Sequence, residues 1–206
     1  MKLYYSPGAC SYAPHIALSE AGLPFEAIKV DLRTHKLADG TDYYAVNPKG
    51  YVPLLELDDG TSLTEVAVIL QYIADRKPGT LAPAFGSLER YRLMEWLNFI
   101  SSEVHKQFNP LWYPDTPEAT KQTQRARLAK RFDYLNPILA KQPYLMGETF
   151  TVADAYLHTI LNWSGMLKVD LAPWPALVEF QQRIAARPGV AKAHQAEHTT
   201  KAAAAA

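Results

Sequence analysis

The opening stretch of the chain, KLYYSPGACS, restricts the possible folds more than any other part of the sequence. Residues 2–5 are apolar and aromatic, which is typical of a buried strand, and the Ser-Pro-Gly turn that follows cannot continue it. A helix is predicted directly afterwards, with Ser11 as its N-cap. The only cysteine of the chain, Cys10, therefore lies where a strand passes into a helix.

Cys10 in this position is a candidate nucleophile. The unpaired backbone N–H groups and the positive end of the helix dipole favour an anion there, so a thiolate would be stabilised. The alternative is that Cys10 is a small buried residue, which is the commonest role of a free cysteine. A single cysteine excludes an internal disulfide. This, together with a chain that starts directly in a strand pattern, favours a location in the reducing cytoplasm.

The first 77 residues predict a small mixed sheet with helices. The strand at residues 2–5, its helix and a second strand form a β-α-β unit, whose strands should be parallel with a right-handed crossover. An Asp-Gly pair at residues 59–60 predicts a hairpin. The predicted order is β-α-β-α-β-β-α. The later elements are expected at residues 25–30 (strand), 42–46 (helical turn), 54–57 and 61–63 (strands) and from residue 64 (helix), with a polar loop at residues 31–40.

Beyond residue 81 no segment has the pattern of a strand, and Pro83 and Gly86 indicate a domain boundary. Thr151 and Asp154 form a variant capping box at the start of one helix, which is a structural signal. The expected helices cover residues 88–108, 118–139, a segment from Thr151 onward, and 176–186. The predicted fold class is α/β plus all-α, with a first domain at residues 1–77 and a helical bundle domain at residues 87–198.

The overall charge argues against several classes of partner. Lysine and arginine balance aspartate and glutamate, giving a formal net charge of zero, which argues against a nucleic-acid or anionic-membrane partner. No apolar run approaches the ~20 residues of a membrane span. The sequence contains no His/Cys cluster with metal-ligand spacing and no glycine-rich phosphate loop, so no metal is predicted.

The dipeptide Val52-Pro53 lies between a turn and a strand, a context that favours a cis peptide bond. Together with Cys10 at the first helix, a proline that opens the third strand resembles the thioredoxin-like pattern. In that pattern the cis peptide presents a backbone N–H and C=O to an extended, thiol-bearing peptide. A second cysteine two residues after Cys10 is missing, so dithiol exchange within the site is unavailable.

The chain as a whole resembles the cytosolic glutathione transferases, and specifically their bacterial beta class. The resemblance runs from Met1 to about Glu197 and rests on segments at the expected spacing: KLYYSPGACS, APHIAL, NPKGYVP with DDGTSLTE, EWLNFISSEVHK and FTVADAYL. It implies a thioredoxin-like N-terminal domain that binds glutathione as co-substrate. It also implies a helical domain that binds a small hydrophobic electrophile, and a homodimer.

By this resemblance Val52, next to Pro53, would hold the cysteinyl backbone of glutathione. Glu65 and the Val66 N–H would hold its γ-glutamyl carboxylate at the start of a helix. Cys10 would lie against the glutathione sulfur, and His105 would be the second catalytic residue. The further glutathione contacts carried over are His35, where the family often has a lysine near the glycine carboxylate, and Asn98, Glu103 and Lys106. Candidate residues of the electrophile pocket are Phe108, Leu111, Trp112, Tyr113 and Trp163.

Several alternatives stay open at this point. Tyr5 and Ser11 are second choices for activating the sulfur, because a hydroxyl near the first strand could donate to a thiolate. Cys10 could itself attack and form a mixed disulfide with glutathione, which would be thiol–disulfide exchange. A non-catalytic binding protein of the same fold is disfavoured, because such proteins tend to lose the thiol or the carboxylate, whereas Cys10 and Glu65 are both present.

Overall fold

The structure is a computed structural model that describes the backbone of residues 1–203 and the side chains of residues 1–198. It contains two compact units, one formed by residues 1–81 with the chain from residue 187 onward and the other by residues 82–186. In the part of the chain that the structure describes, no helix is long and apolar enough to cross a membrane.

The first unit has the predicted order of elements with one addition, and its thioredoxin-like fold class is confirmed. The addition is the two-residue strand β3, inside the segment predicted to be a loop, because a strand this short has no readable periodicity. The elements are β1 (Lys2–Tyr5), α1 (Tyr12–Ala21), β2 (Glu26–Asp31), β3 (Lys36–Leu37), α2 (Tyr43–Val46), β4 (Leu54–Glu56), β5 (Ser62–Thr64) and α3 (Val66–Asp75).

The described strands form one sheet in the order β3-β2-β1-β4-β5. β1 and β2 are parallel, as predicted for the β-α-β unit, and the other pairs are antiparallel. Tyr4 of β1 pairs with Leu54 of β4, which in turn pairs with Thr64 of β5. The residues that follow Tyr5, precede Leu54 and follow Thr64 therefore leave the sheet at the same edge.

The two faces of the sheet are covered by different helices. Tyr4 and Leu54 belong to a buried cluster with Tyr43 of α2. Tyr5 points to the opposite face, as alternation along a strand requires, and its ring contacts His15 of α1 edge-on at 5.6 Å. The sheet thus lies between α1 and α2.

The last helix, α10 (Pro188–Ala203), belongs to the first unit. The structure differs here from the predicted assignment of residues 187–198 to the helical domain. The physical reason is that α10 packs on α1: the Tyr12 hydroxyl donates to Val190 O at 3.3 Å, and His15 Nδ1 lies 3.0 Å from the buried carboxylate of Glu197.

The second unit is helical, and within the described residues no strand follows β5. Its elements are α4 (Leu88–Phe99), a π-helix (Ile100–His105), α5 (Lys106–Phe108), a 3-10 helix (Asn109–Leu111), α6 (Glu118–Leu139), α7 (Val152–Leu161), α8 (Trp163–Met166) and α9 (Pro175–Ala185). The predicted helix at residues 118–139 and the helices beginning near residues 151 and 176 are confirmed.

The helix predicted to run without interruption over residues 88–108 contains the π-helix Ile100–His105 instead. The Ser102 hydroxyl donates to Asn98 O at 2.9 Å, and this is the carbonyl that the backbone N–H of residue 102 would use in an α-helix. The same side-chain bond to the carbonyl four residues earlier occurs within α6 and α7, at Thr123 and Thr159, so it does not by itself account for the wider turn. A π-helix of six residues is too short to be recognised from apolar periodicity.

The capping box at the start of α7 is confirmed, and it joins two segments of the second unit. Asp154 is fully buried, and its carboxylate accepts bonds from the backbone N–H groups of Thr151 and Leu145, both at 2.8 Å. Burial raises the pKa of Asp154 to about 6, although these hydrogen bonds act in the opposite direction. Asp154 therefore stabilises the helix start and the preceding loop together.

Candidate functional site

Cys10 lies where the sequence places it, at the end of the turn that links β1 to α1. The thiol is half-buried and donates a hydrogen bond to Val52 O at 3.3 Å. Its own carbonyl accepts the N–H of Ala13 in the first turn of the helix. The sheet edge thus brings the only sulfur nucleophile of the chain to the backbone that precedes β4.

The two alternative hydroxyls near this sulfur are both buried. Ser11 is 0% exposed, and its Oγ accepts the N–H of Ser6 at 3.1 Å. Ser11 is the N-cap residue of α1, as predicted, but its hydroxyl closes the preceding turn by donating to Ser6 O at 3.3 Å and makes no capping bond to the helix. Tyr5 is buried beneath α1, against His15. Their roles toward a sulfur stay predictions.

The Val52-Pro53 peptide bond is cis, as the sequence context favoured, and both residues are buried. The carbonyl of Tyr51 just before it accepts two hydrogen bonds, from the Tyr43 hydroxyl at 2.8 Å and from Asn47 Nδ2 at 2.7 Å. These two donors hold the loop, and sequence reasoning missed them. A local signal did exist, since both lie within eight residues of the carbonyl that they contact.

Glu65 precedes α3 in a backbone conformation that few residues adopt, with φ of +68°. Its side chain is 67% exposed and accepts a bond from Lys49 Nζ at 3.1 Å. Lys49, also exposed, donates to Thr64 Oγ1 as well. Val66 begins α3, so its N–H is among those of the first turn that have no acceptor within the helix. This position combines anion-binding amides with an exposed carboxylate that is paired with a flexible lysine.

His35 also has a positive φ, +53°, and its ring lies 4.6 Å from that of Tyr44. Tyr44 in turn packs on Gly50, where an added Cβ would lie 2.5 Å from the tyrosine ring. This close approach, together with φ of +68°, explains the glycine before Tyr51. His35 therefore belongs to the same loop assembly as the segment that leads to Val52.

The second unit carries the other predicted site residues on the segment from α4 to α5. Asn98 and Lys106 are exposed, and the partly exposed carboxylate of Glu103 forms a salt bridge with Arg131 of α6. The Glu103–Arg131 pair was not foreseen, because the two residues lie 28 positions apart in the sequence. Glu103 therefore has a strong partner within its own unit.

His105 ends the π-helix and contacts α7 and α8. Its Nδ1 lies 2.8 Å from the hydroxyl of Tyr156, which is only 1% exposed. Its ring meets Trp163 edge-on at 4.9 Å. Tyr156 was not among the predicted site residues, because it lies 51 positions later in the sequence and only the folded helices bring the two together.

The residues predicted for an electrophile pocket divide into buried and exposed members. Trp163 is 5% exposed, and its ring contacts those of Phe108 at 5.9 Å and Trp112 at 5.5 Å. Phe108 and Leu111 are buried, whereas Trp112 and Tyr113 are exposed. The rings of Phe108 and Trp112 thus form an aromatic cluster around Trp163, and His105 contacts the same tryptophan.

No group of three or more His, Cys, Asp or Glu side chains in the described part of the chain is arranged to hold a metal ion. The first unit offers a half-buried thiol, the backbone N–H groups of a helix first turn and an exposed carboxylate. The second unit offers an imidazole set among aromatic rings.

Two family models match the chain. The model for the N-terminal domain of glutathione S-transferases matches residues 8–76, and the model for the C-terminal domain matches residues 99–188. Among curated proteins, the chain is similar to the glutathione S-transferase GstA of Escherichia coli O157:H7. The two are 50% identical over 199 residues, which cover 96% of this chain and 98% of GstA.

Solved structures give the same result. A sphingomonad glutathione S-transferase complexed with glutathione is 48% identical and has a TM-score of 0.93, with 96% of this chain and 99% of that chain covered. The beta-class enzyme of Sphingomonas chungbukensis is 46% identical, with a TM-score of 0.92, and covers 96% and 98% of the two chains. The predicted resemblance to the bacterial beta class is confirmed.

Proposed function

Because the chain belongs to the glutathione S-transferase family, we propose that it transfers the thiolate of glutathione to small, mostly apolar electrophiles. The observation that carries this proposal is the edge of the sheet where three segments meet. The thiol of Cys10, the Val52-Pro53 loop and the start of α3 at Glu65 all leave the sheet there. An extended tripeptide with a central thiol could pair with the backbone of the Val52-Pro53 loop there, as an added strand would.

The three parts of glutathione are assigned to these segments by their chemistry. The backbone of Val52, beside Pro53, pairs with the cysteinyl residue. The Val66 N–H at the start of α3 suits the γ-glutamyl carboxylate. The carboxylate of Glu65 would repel that group, so we assign Glu65 to the α-ammonium of the same residue. His35 is the proposed contact of the glycine carboxylate.

The second unit would supply the remaining contacts. Asn98, Glu103, His105 and Lys106 are proposed on the strength of the resemblance. The aromatic cluster of Phe108, Trp112 and Trp163 supports an apolar electrophile, with Leu111 and Tyr113 as further candidates. We also propose a homodimer through α4 and α6, on which Tyr91 and Tyr134 are exposed. We further propose a cytoplasmic location.

The proposed reaction needs no redox partner. The glutathione thiol loses its proton to solvent, and the thiolate attacks the electrophilic carbon, so that a carbon–sulfur bond forms and the leaving group departs. The start of α1 favours the anion, and a hydrogen bond from His105 would add to this. Each donor to a charged sulfur is expected to contribute roughly ten- to a hundredfold in rate.

Thiol–disulfide exchange is the second candidate, and the half-buried thiol of Cys10 at a helix start favours it. In exchange, the Cys10 thiolate attacks a disulfide that contains glutathione. A mixed disulfide forms, the other thiolate leaves, and a second glutathione thiolate then releases Cys10. This reaction requires the sulfur of Cys10, whereas conjugation requires only that of glutathione.

The test combines binding with two activities. The wild type should be retained on immobilised glutathione and should conjugate a model chloronitroaromatic compound. Cys10→Ala should abolish disulfide reduction and keep measurable conjugation, while Cys10→Ala with His105→Ala should lose most of it. A protein that neither binds glutathione nor conjugates it would contradict the proposal. If Cys10→Ala binds glutathione but conjugates only at the uncatalysed rate, Cys10 is the activating group.

A further inference from the structure

The imidazole of His105 is held on two sides by neighbours from its own unit. Tyr156 of α7 lies with its hydroxyl 2.8 Å from Nδ1, and the two rings meet at 89° with centroids 5.9 Å apart. Trp163 of α8 meets the imidazole at 68° and 4.9 Å. Both neighbours are nearly fully buried, so they define the orientation of the ring.

The backbone of His105 is fixed as well. His105 is the last residue of the π-helix Ile100–His105, and π-helical turns occur frequently at functional sites. Val104 and Phe108, on either side of it, are both 0% exposed. Tyr156 lies two residues after Asp154, whose buried carboxylate fixes the start of α7. Both partners of the bond are therefore on rigid elements, which gives the precision that a positioned group needs.

The chemistry of the two groups decides the direction of the hydrogen bond. A phenol is a stronger acid than a neutral imidazole N–H, and an imidazole nitrogen is a stronger base than a phenol oxygen. With a neutral ring, Tyr156 therefore donates and Nδ1 accepts. The proton of the imidazole then resides on Nε2, because one nitrogen is the donor and the other the acceptor.

We infer that Tyr156 is a positioning residue that holds His105 as the Nε2–H tautomer, so that the imidazole offers a hydrogen-bond donor to a sulfur anion. This inference rests on the proposed function for the role of His105, but the tautomer itself does not. Tyr156 acts through His105 and is assigned no contact with substrate. A hydrogen bond from the other side of a ring is a common way to fix which nitrogen reacts.

Nitrogen-15 NMR of histidine-labelled full-length protein tests the tautomer directly, with the His105 signals assigned by their loss in His105→Ala. In the wild type, Nδ1 should have the chemical shift of an unprotonated, hydrogen-bonded nitrogen and Nε2 that of a protonated one. In Tyr156→Phe, which keeps the ring, the signals should move toward a mixture of tautomers. Tyr144→Phe is the matched control, because the Tyr144 ring contacts Phe150 and the substitution is the same.

Kinetics test the consequence. Tyr156→Phe should lower kcat for conjugation about three- to tenfold, the equivalent of one ordinary hydrogen bond, and leave KM for glutathione unchanged. In the His105→Ala background the same substitution should have no further effect on kcat. Tyr144→Phe should keep the wild-type kcat.

At a pH where the His105 ring is neutral, a protonated Nδ1 in the wild type would overturn the inference, and this measurement does not require that Tyr156→Phe folds. Equal losses from Tyr156→Phe with and without His105 would also overturn it, since Tyr156 would then act on the fold. A wild type without conjugating activity would instead refute the proposed function, and the nitrogen shifts would still decide whether Tyr156 holds the ring.

Discussion

Glu65 and Asp154 are both acidic residues at the start of a helix, yet their surroundings differ completely. Asp154 is 0% exposed, and both of its oxygens accept backbone N–H groups. The Glu65 side chain is 67% exposed, and its partner Lys49 is 52% exposed. Asp154 therefore contacts groups that cannot move away, whereas the partner of Glu65 can.

This difference separates a residue that stabilises the fold from one suited to bind a ligand. Removing a buried acceptor leaves its donors unpaired, at a cost of about 1–3 kcal/mol for each. An exposed ion pair contributes only about 0–1 kcal/mol, so an incoming cation can replace Lys49 at Glu65 with little loss. The positive φ of Glu65 also supports a binding role, since strained backbone conformations concentrate at functional sites.

The largest expected effect is on stability, from Asp154→Ala. Two buried N–H groups, of Leu145 and Thr151, would lose their acceptor, so the free energy of unfolding should fall by about 2–6 kcal/mol. Denaturant unfolding followed by circular dichroism measures this. The control is Glu89→Ala, since Glu89 is an exposed acid in the first turn of α4. A loss below about 1 kcal/mol for Asp154→Ala would show that Asp154 contributes no more to stability than an exposed acidic residue does.

The pH dependence of stability gives the next effect. Burial raises the pKa of Asp154 from 3.8 to about 6, so the folded protein binds this proton more tightly than the unfolded chain. The stabilisation from this proton is complete below pH 3.8 and is lost as the pH rises through about 6. It amounts to about 3 kcal/mol at most. The free energy of unfolding of the wild type minus that of Asp154→Asn should therefore decrease between about pH 4 and 7. A difference that stays constant or increases over this range would contradict the raised pKa.

The smallest effect on stability is expected from Glu65→Gly, although its effect on binding is large. Glycine adopts φ near +68° without strain, so the free energy of unfolding should stay the same or rise by about 1 kcal/mol. Affinity for glutathione should fall about ten- to a hundredfold, because a charge-assisted contact is lost. Calorimetric titration measures the affinity, again with Glu89→Ala as control. Wild-type affinity in Glu65→Gly would show that Glu65 is not a ligand contact.

Much of the first unit followed from local signals in the sequence. The Ser-Pro-Gly turn that follows β1 is read directly from residue types. The Asp-Gly hairpin is equally local, and so is the Thr151–Asp154 box in the second unit. The two-residue strand β3 and the π-helix were missed, because the first exists only through pairing and the second is too short to alter the apolar periodicity.

The sequence by itself determined the family, the order of the elements of the first unit as far as α3 apart from β3, and the position of Cys10 at the start of α1, since these depend on residue types at short range. The tertiary structure alone decided that α10 packs with α1, that Arg131 pairs with Glu103, and that Tyr156 meets His105. Each of these contacts joins residues 28 or more positions apart. Such pairs form only when helices that are distant in the sequence pack together. Their geometry is set by this packing rather than by the preference of either residue alone.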